Sequence, residues 1–450
     1  MAESRVAQRS RPTLTIQGFR HSFPDGRSLF LPGELQLSGG DCALVSGSTG
    51  SGKTSLLYAI AGLLPGVTEG VDKGDAGVGF AFQNPATQLF FSNVEEEIGF
   101  APRNRGLSQA SVQATVGECL DAVGLAGWQE RNIDGLSMGE KHRVALAAAW
   151  SSEPTLLLLD EPFAQLDSGG ADRLRRFLES YLRRGGTVVV SEHDPEKLAG
   201  IANRSLDLPH ANLPVPSRAV PPDHASTAPV DGRIDIDIHE LDITAPDGGR
   251  ALLRNLTWRV TGGERVHIRG PNGSGKSTLL RTLVGLHPSD CRRIEVAGCK
   301  PSPAALAGIV AFLHQDPDSQ LFAASVREEV AFAAARLPPA RRPRHGWVDS
   351  LIHSLGLAHL AERSPLSLSF GEKHLVALAA ALACRPRVVA MDEPFTGLDK
   401  ERIAALYEFL ADYSRAFGST LLITSHNPPP DPAWATRRFV MDHGRFLEDL

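Results

Sequence analysis

Two glycine-rich stretches carry residues that could hold a phosphate chain. The first is GSTGSGKT at 47–54 and the second is GPNGSGKS at 270–277. Each lies between an apolar run typical of a strand and a periodic apolar run typical of a helix, which is the context that a phosphate-binding loop needs. Glycines let such a loop wrap a phosphate without Cβ clashes, and the helix N-terminus points unpaired N–H groups at it. The sequence therefore predicts two phosphate sites rather than two simple turns.

The side chains at the ends of these loops indicate which residue would contact the phosphates and which would contact Mg²⁺. Lys53 and Lys276 would reach the β- and γ-phosphates, and the hydroxyls of Thr54 and Ser277 would hold Mg²⁺. The other predicted contacts come from the rest of the loops, which are Gly47, Ser48, Thr49, Gly50, Ser51, Gly52, Gly270, Pro271, Asn272, Gly273, Ser274 and Gly275.

Two acidic pairs follow apolar strand-like runs. LLLLDEP ends in Asp160-Glu161-Pro162, and VVAMDEP ends in Asp392-Glu393-Pro394. Such pairs lie at the carboxyl end of a strand, where ligands bind in open α/β sheets. We expect Asp160 and Asp392 to help hold Mg²⁺ and Glu161 and Glu393 to polarise the attacking water. A solvated acidic turn is the alternative, and the glycine loop upstream of both pairs disfavours it.

A glutamine and a histidine follow other short apolar runs in each half. Gln83 and Gln315 could reach Mg²⁺ or the water through the amide oxygen, although a glutamine at a strand end is a weak signal alone. His193 and His426 could donate a hydrogen bond to the γ-phosphate. A histidine at a strand end is usually structural, but its recurrence in both halves favours a role in the site.

The sequence Leu-Ser-x-Gly-Glu occurs at 136–140 and at 368–372. A serine followed three residues later by glutamate predicts a capping box that simply starts a helix. A helix N-terminus with a serine and a glycine is also a phosphate site. The candidate contacts are Ser137, Gly139, Ser369 and Gly371.

These motifs recur in the same order in both halves, so the chain contains an internal repeat. We predict a first domain at 13–209, a Pro-rich linker at 210–232, a second domain at 233–450 and a disordered basic tail at 1–12. Strand-like and helical patterns alternate within each half. This alternation predicts an α/β fold with a mainly parallel sheet covered by helices.

Composition narrows the class of protein. The chain has 450 residues, a net charge of −6 and five cysteines without metal-type spacing. The acidic balance argues against a general nucleic-acid binder, and unclustered thiols are typical of a reducing cytosol. No apolar run reaches the ~18 residues of a membrane span. We therefore expect a soluble chain; if it works at a membrane, another protein must cross that membrane.

The order of the motifs resembles that of ABC ATPases, over nearly the whole chain. The resemblance implies two P-loop NTPase domains, each with an α-helical signature subdomain, that use ATP and Mg²⁺. In this family two such domains pair head to tail, so each ATP lies between one glycine loop and the other domain's signature. Both sites keep the glutamate and the histidine, which implies that both hydrolyse ATP. One site would combine Lys53, Thr54, Gln83, Asp160, Glu161 and His193 with Ser369 and Gly371, and the other Lys276, Ser277, Gln315, Asp392, Glu393 and His426 with Ser137 and Gly139.

A narrower resemblance comes from the runs at 82–100 and 314–332. FQNPATQLFFSNVEEEIGF and HQDPDSQLFAASVREEVAF are similar to a run in the ATPases of energy-coupling factor (ECF) transporters. These importers take up vitamins or transition-metal ions. The implied partners are a transmembrane coupling protein and a small substrate-capturing membrane protein, at the cytoplasmic face of the membrane. The acidic residues of both runs predict a groove for a basic coupling helix, although a solvated helix start would look the same.

The sequence departs from the family pattern in its signatures and at one aromatic position. Met138 and Phe370 stand where the family has a glycine, and the signature glutamates stand where it has glutamine. The family often stacks adenine on an aromatic residue upstream of the glycine loop. Phe23 can do this in the first half, whereas the second half has Ala245. We therefore expect a looser grip on adenine at the second site.

Two other functions remain open at the level of sequence. One is a tandem ABC ATPase acting on ribosomes or DNA, which the acidic charge and the Pro-rich linker disfavour. The other is the ATPase of a sugar importer, which the run after each glutamine disfavours.

Overall fold

The computed structural model describes residues 13–23, 28–164, 166, 168–208, 215–216, 232–245, 251–442 and 444–449. The predicted tail and nearly all of the predicted linker lie outside the described residues. The chain divides into two compact units at Ala211 and Asn212, and each unit is described by itself. Among the helices of the described ranges, none has the length and apolar character that a membrane span requires.

The first unit contains a parallel sheet and a separate antiparallel sheet. The parallel strands have the order β5-β6-β7-β3-β8, and the antiparallel strands have the order β2-β1-β4. The strands are β1 (Leu14–Ser22), β2 (Ser28–Leu37), β3 (Cys42–Ser46), β4 (Val67–Asp72), β5 (Val78–Ala81), β6 (Leu156–Asp160), β7 (Thr187–Ser191) and β8 (Arg204–Asp207). The helices are α1 (Lys53–Ala61), α2 (Val94–Asn104), α3 (Gln109–Ala122), α4 (Met138–Ser151) and α5 (Ser168–Arg183).

The second unit repeats this plan. Its parallel strands have the order β13-β14-β15-β11-β16, with β17 antiparallel at the edge, and its antiparallel sheet has the order β10-β9-β12. The strands are β9 (Ile234–Thr244), β10 (Ala251–Thr261), β11 (Arg265–Arg269), β12 (Asp290–Val296), β13 (Val310–Leu313), β14 (Val388–Asp392), β15 (Thr420–Thr424), β16 (Arg437–Asp442) and β17 (Arg445–Glu448). The helices are α6 (Lys276–Leu283), α7 (Pro303–Leu306), α8 (Val326–Ala335), α9 (Trp347–Ser354), α10 (Phe370–Ala383) and α11 (Lys400–Phe417).

The unbroken apolar runs of the parallel strands are explained by cores on both faces of each sheet. In β6, Leu157 and Leu159 pack into a core with the helical part of the unit. Leu156 and Leu158 alternate with them and pack against α1 and the antiparallel sheet. All four leucines are fully buried, as expected for a central parallel strand. The sheet is therefore a rigid base for the groups at its carboxyl edge.

The α/β fold with two similar domains, predicted from the sequence, is confirmed. The antiparallel sheet of each unit was not predicted. Its first strands are long and irregular, with register shifts between Gln17 and Phe19 and at several points of the β9–β10 pair. Such bulges break the alternation of apolar and polar residues by which a strand is recognised.

Candidate functional site

The two glycine loops hold their lysines in the same way. Lys53 is 5% exposed, and its Nζ donates to the carbonyl oxygens of Gly47 at 3.0 Å and Ser48 at 3.3 Å. Lys276 is 6% exposed and donates to the carbonyls of Gly270 at 2.7 Å and Pro271 at 3.2 Å. Each loop therefore folds around a buried ammonium group, which is suited to binding an anion.

One glycine in each loop is required by geometry. Gly52 has φ +97° and caps α1, and a Cβ there would lie 2.6 Å from Leu29 Cδ2. Gly275 has φ +104°, and its Cβ would lie 2.7 Å from Met441 Cε. Any side chain here would be strained and would displace an apolar neighbour. The glycines thus let the loop turn tightly into the helix that follows.

The acidic pairs leave one carboxylate oxygen ready for a cation. Asp160 Oδ1 accepts from the Ser191 hydroxyl, and Asp392 Oδ1 accepts from Thr424 Oγ1 at 2.8 Å. The Oδ2 atoms of both aspartates are buried and lack a hydrogen-bond partner among the described residues. Burial, together with neighbouring Glu161, raises the pKa of Asp160 to about 6, against hydrogen bonds that include one from Thr54. A buried oxygen without a partner beside a threonine hydroxyl fits a Mg²⁺ ligand set.

The first glutamate lies in a network of donors. Glu161 is 6% exposed, and its Oε1 lies 2.7 Å from His193 Nε2 and 3.9 Å from Lys53 Nζ. Gln83 Nε2 donates to Glu161 Oε2 at 2.8 Å. Burial raises the pKa of this carboxyl, but His193, Lys53 and Gln83 together outweigh burial and hold the pKa below its usual value. Glu161 is therefore a charged carboxylate with both oxygens engaged.

The second glutamate has fewer donors. His426 Nε2 lies 3.3 Å from Glu393 Oε1, which is buried without a hydrogen bond among the described residues. Within the described part of the chain, the side chain of Gln315 does not hydrogen-bond to Glu393, whereas Gln83 bonds to Glu161. Burial and the neighbouring Asp392 raise the pKa of Glu393 to about 8, against the opposing charge of Lys276. The two sites thus share residue types but differ in the state of the carboxylate.

Both acidic pairs include a residue in the left-handed region. Glu161 and Glu393 each have φ +48°, which is rare for residues other than glycine. The backbone N–H of Glu161 donates to Ser191 Oγ at 3.0 Å, and that of Glu393 donates to the Thr424 carbonyl at 3.1 Å. Strain of this kind persists where surrounding bonds enforce it, and it fixes the direction of the glutamate side chain.

The signature serines start helices as predicted, and the capping box is confirmed in both units. Ser137 Oγ donates to Glu140 Oε2 at 2.8 Å, and Ser369 Oγ donates to Glu372 Oε2 at 2.7 Å. In the second unit, a Cβ at Gly371 would lie 2.5 Å from the Gly397 carbonyl oxygen. In both units, the glutamate that stands in place of the family's glutamine accepts the hydrogen bond of the serine hydroxyl. The hydroxyl must leave this acceptor before it can donate to a phosphate.

Two positioning residues escaped the sequence analysis. Glu192 is 2% exposed, and its Oε1 accepts from the backbone N–H of His193 at 2.9 Å. Gln88 donates to the Phe80 carbonyl at 2.8 Å and accepts from the Phe82 N–H at 2.9 Å, so it fixes the end of β5 beside Gln83. The signal for Gln88 was its recurrence as a second glutamine in both runs. Glu192 gave no such signal, since serine stands there in the other half.

Phe23 lies directly after β1, with its ring edge-on to His21 at 4.6 Å between centroids. Ala245 is half-buried against the core of the second unit. The stacking of adenine on Phe23 stays a prediction.

The adenine difference is testable with one site disabled at a time. We expect K276A protein, which keeps the first site, to bind ATP roughly fivefold more tightly than K53A protein, because stacking contributes about 1 kcal/mol. Equilibrium titration with a fluorescent ATP analogue measures both affinities. Adding F23A to K276A should abolish the difference, and equal affinities of the two starting variants would contradict the prediction.

Each unit thus contains a glycine loop, an aspartate with a buried carboxylate oxygen and a paired glutamate and histidine. The sequence profile of the ABC transporter family matches residues 32–164 and 253–396. The chain belongs to this family. Its domains are ABC ATPases, which bind ATP with Mg²⁺ and hydrolyse it.

Similar proteins match this ABC chain over more than nine-tenths of its length. A Treponema denticola protein named as an ABC transporter ATP-binding protein is 29% identical over 92% of each chain. A Methanosarcina mazei protein with the same kind of name is 27% identical over 98% of this chain and 89% of its own. The solved structure of RNase-L inhibitor has a TM-score of 0.57 at 20% identity, covering 94% of this chain and 87% of its own, and it supports the fold alone.

Proposed function

We propose that this chain is the ATP-hydrolysing subunit of an ECF-type importer, working at the cytoplasmic face of a membrane on a vitamin or transition-metal ion. The proposal is carried by one feature of both units, an exposed aromatic surface built by the run that follows Gln83 and Gln315. This surface lies beside the residues that would sense the nucleotide, so a partner bound there could be moved by ATP hydrolysis.

The polar residues of each run hydrogen-bond to the backbone of their own loop. Gln320 bridges the second loop as Gln88 bridges the first, donating to the Phe312 carbonyl and accepting from the His314 N–H, both at 2.9 Å. Asn84 Oδ1 accepts from the Ala86 N–H at 3.0 Å and so caps the turn that follows. Local structure therefore explains these residues without a partner.

We expected the acidic residues of both runs to form an exposed acidic groove. This prediction was wrong for two of the glutamates, which are buried. Glu97 is 5% exposed and accepts from the N–H groups of Phe90 at 3.0 Å and Phe91 at 2.9 Å. Glu329 is 4% exposed and accepts from Phe322 N–H at 2.8 Å. These carboxylates are buried because they satisfy the backbone of the loop. The exposed negative charge comes from the remaining glutamates, which are Glu96 and Glu328, with Glu95 half-buried.

The aromatic residues have no such internal explanation. Phe90 is 67% exposed and Phe100 is 41% exposed; their ring centroids lie 5.5 Å apart, and the ring of Phe91 contacts both. Phe322 is 60% exposed and contacts Phe332 at 4.6 Å between ring centroids. Exposed aromatic clusters rimmed by charge are typical of interaction sites.

A cavity extends the aromatic surface of the second unit. It has a volume of about 240 Å³ and lies between Phe322, Phe332 and the small side chains of α10, among them Ala377 and Ala381. An apolar side chain of a partner could enter it. Each unit also has an exposed glutamate in the same run as its aromatic residues, Glu96 in the first and Glu328 in the second. The complementary partner is therefore a short amphipathic helix with apolar and basic residues, as expected for the cytoplasmic part of a membrane coupling protein.

In the proposed cycle, the glycine loops would hold the phosphates of ATP. Thr54 with Asp160, and Ser277 with Asp392, would hold Mg²⁺. Glu161 would take the proton of the attacking water, and His193 would orient it and the γ-phosphate. Following the family resemblance, we propose that the signature serine and glycine of each half complete the site of the other. Gln83 and Gln315 would then connect each site to its aromatic surface.

The aromatic surfaces provide the test. In the tagged chain, F90A together with F322A should weaken retention of a multi-span membrane protein at least tenfold, since buried aromatic anchors dominate interfaces. The partner is identified by mass spectrometry from solubilised membranes, and basal ATPase activity should not change. The matched control is L63A together with L447A, which removes two leucines that are 55% and 57% exposed.

The identity of the partner separates the proposed function from its rivals. A substrate-capturing membrane protein in the retained complex supports the ECF assignment. Recovery with ribosomes, or with the membrane subunits of a sugar importer, contradicts it, as does retention that F90A and F322A leave unchanged.

A further inference from the structure

A cavity of about 350 Å³ lies on the first unit, between the ends of α3 and α4 and one face of α5. Three arginines line it, Arg173 and Arg176 of α5 and Arg184 directly after that helix, and Trp150 of α4 forms part of its wall. None of the lining residues belongs to the nucleotide site. The volume falls in the range of small-molecule sites.

The three arginines carry positive charge that the protein does not neutralise. Their guanidinium groups have no ion pair within the ranges that the structure describes, and the Nε of Arg173 is buried without a hydrogen-bond partner. The neighbouring Arg183 points elsewhere, and its Nη1 lies 4.0 Å from Glu179. Asp121 is the one acid that lines the cavity. Three arginines around one cavity, with a single acid among the lining residues, favour an anionic ligand there.

The fold does not require these arginines. Helices α5 and α11 follow the Asp-Glu-Pro-Phe sequence at the same spacing, so each arginine has a counterpart in the second unit. The counterparts of Arg173, Arg176 and Arg184 are alanine, glutamate and alanine, at Ala405, Glu408 and Ala416. The aromatic residues beneath them are kept as Phe409 and Tyr413, whereas Trp150 is replaced by Leu382. The arginines and the tryptophan are therefore additions to a shared core.

The wall of the cavity is aromatic. Trp150 is half-buried, and its ring lies 5.0 Å from that of Phe177 in an edge-on contact. Phe177 in turn stacks on Tyr181 at 6.2 Å, and the Tyr181 hydroxyl is tied to the Pro154 carbonyl. The wall is thus held in place from behind, and a flat ring can lie against the indole.

We propose that this cavity binds a small phosphorylated molecule that carries a flat ring, of the nucleoside monophosphate class. Its phosphate would be held by the guanidinium groups of Arg173, Arg176 and Arg184, which present paired N–H donors suited to phosphate oxygens. Its ring would contact Trp150. Its lining residues lie outside the glycine loops and acidic pairs of the ATP sites, and the second unit does not carry its arginines and tryptophan at the matching positions.

The test uses the full chain with K53A and K276A, so that the glycine loops do not compete for the probe. Calorimetric titration with uridine monophosphate should give one site, and inorganic phosphate and uridine should each bind more weakly. Replacing the arginines by their counterparts, as R173A, R176E and R184A, should weaken binding at least thirtyfold, since each charged hydrogen bond contributes about 1.5–3 kcal/mol. The variant W150L should weaken the binding of uridine monophosphate and leave the binding of inorganic phosphate unchanged.

Two controls keep the result interpretable. R183A removes an adjacent arginine that is paired with Glu179 and should leave the affinity unchanged. The triple variant should retain the unfolding temperature of the parent, because the second unit carries these same residues on the same helix. Absence of binding at 10 mM probe, or an affinity that the triple exchange leaves unchanged, would overturn the proposal.

Discussion

Replacing both glutamates, E161Q together with E393Q, is expected to reduce ATP turnover by a factor of about 10² or more while ATP still binds. A positioned general base contributes roughly 10²–10⁴-fold, and glutamine has the size of glutamate but cannot take a proton. The lysines and the glycine loops, which would bind the phosphates, are unchanged. Steady-state phosphate release and equilibrium ATP binding, measured on the same preparations, check the two parts of the expectation.

The matched control for this variant is E96Q together with E328Q. Both residues are exposed glutamates outside the site, so the change in charge is the same and turnover should stay at the parent rate. Unaltered turnover in the E161Q and E393Q protein would show that neither carboxylate is the base.

The fold could be predicted where one physical pattern dominates. The strands β3, β6 and β7 coincide with the apolar runs of the sequence, because a strand buried on both faces needs no polar residues. The helices after the glycine loops begin at Lys53 and Lys276, where a single glycine forces the turn. The antiparallel sheets could not be predicted in this way, since their bulges and half-exposed faces leave no regular period.

The residue types of the site could be predicted from the sequence, but the protonation state and hydrogen bonding of its carboxylates could not. Motif and order identified Glu161 and Glu393 equally, and nothing in Asp-Glu-Pro distinguishes them. They differ in their contacts. Gln83 donates to Glu161 at 2.8 Å, and the histidine Nε2 lies 2.7 Å from the carboxylate oxygen in the first unit but 3.3 Å from it in the second. Likewise, the glutamates at 97 and 329 read as surface charge, although they satisfy backbone N–H groups that only the folded loop brings to them.

This difference in state predicts that one substitution has opposite effects on stability in the two units. For nucleotide-free protein in EDTA at pH 8, E161Q should lower the unfolding temperature of its unit, whereas E393Q should raise it. Glu161 is charged and held by His193, Gln83 and Lys53, so glutamine loses those attractions. Glu393 is buried with an oxygen that lacks a hydrogen bond, so removing its charge relieves a penalty.

The two effects should also depend on pH in opposite ways. A carboxyl with a lowered pKa contributes stability above its unfolded pKa of about 4.3 and loses it as pH falls, so E161Q should become less harmful in acid. Glu393, with a pKa of about 8, retains its proton on folding, so the unfolded state binds fewer protons between about pH 4 and pH 8. The stability of the parent unit therefore falls as pH rises through that window.

It follows that the advantage of E393Q should be small at pH 5 and should grow to the order of 3 kcal/mol at pH 8, since each unit of pKa shift is worth about 1.4 kcal/mol. For a unit of this size, each kcal/mol of added stability raises the unfolding temperature by roughly 2–4 °C. Differential scanning calorimetry at pH 5, 6.5 and 8 measures it, with E96Q and E328Q as the control. A shift of the same sign for E161Q and E393Q at pH 8 would mean that the two carboxylates share one state, and the distances that separate the two sites would then have no energetic consequence.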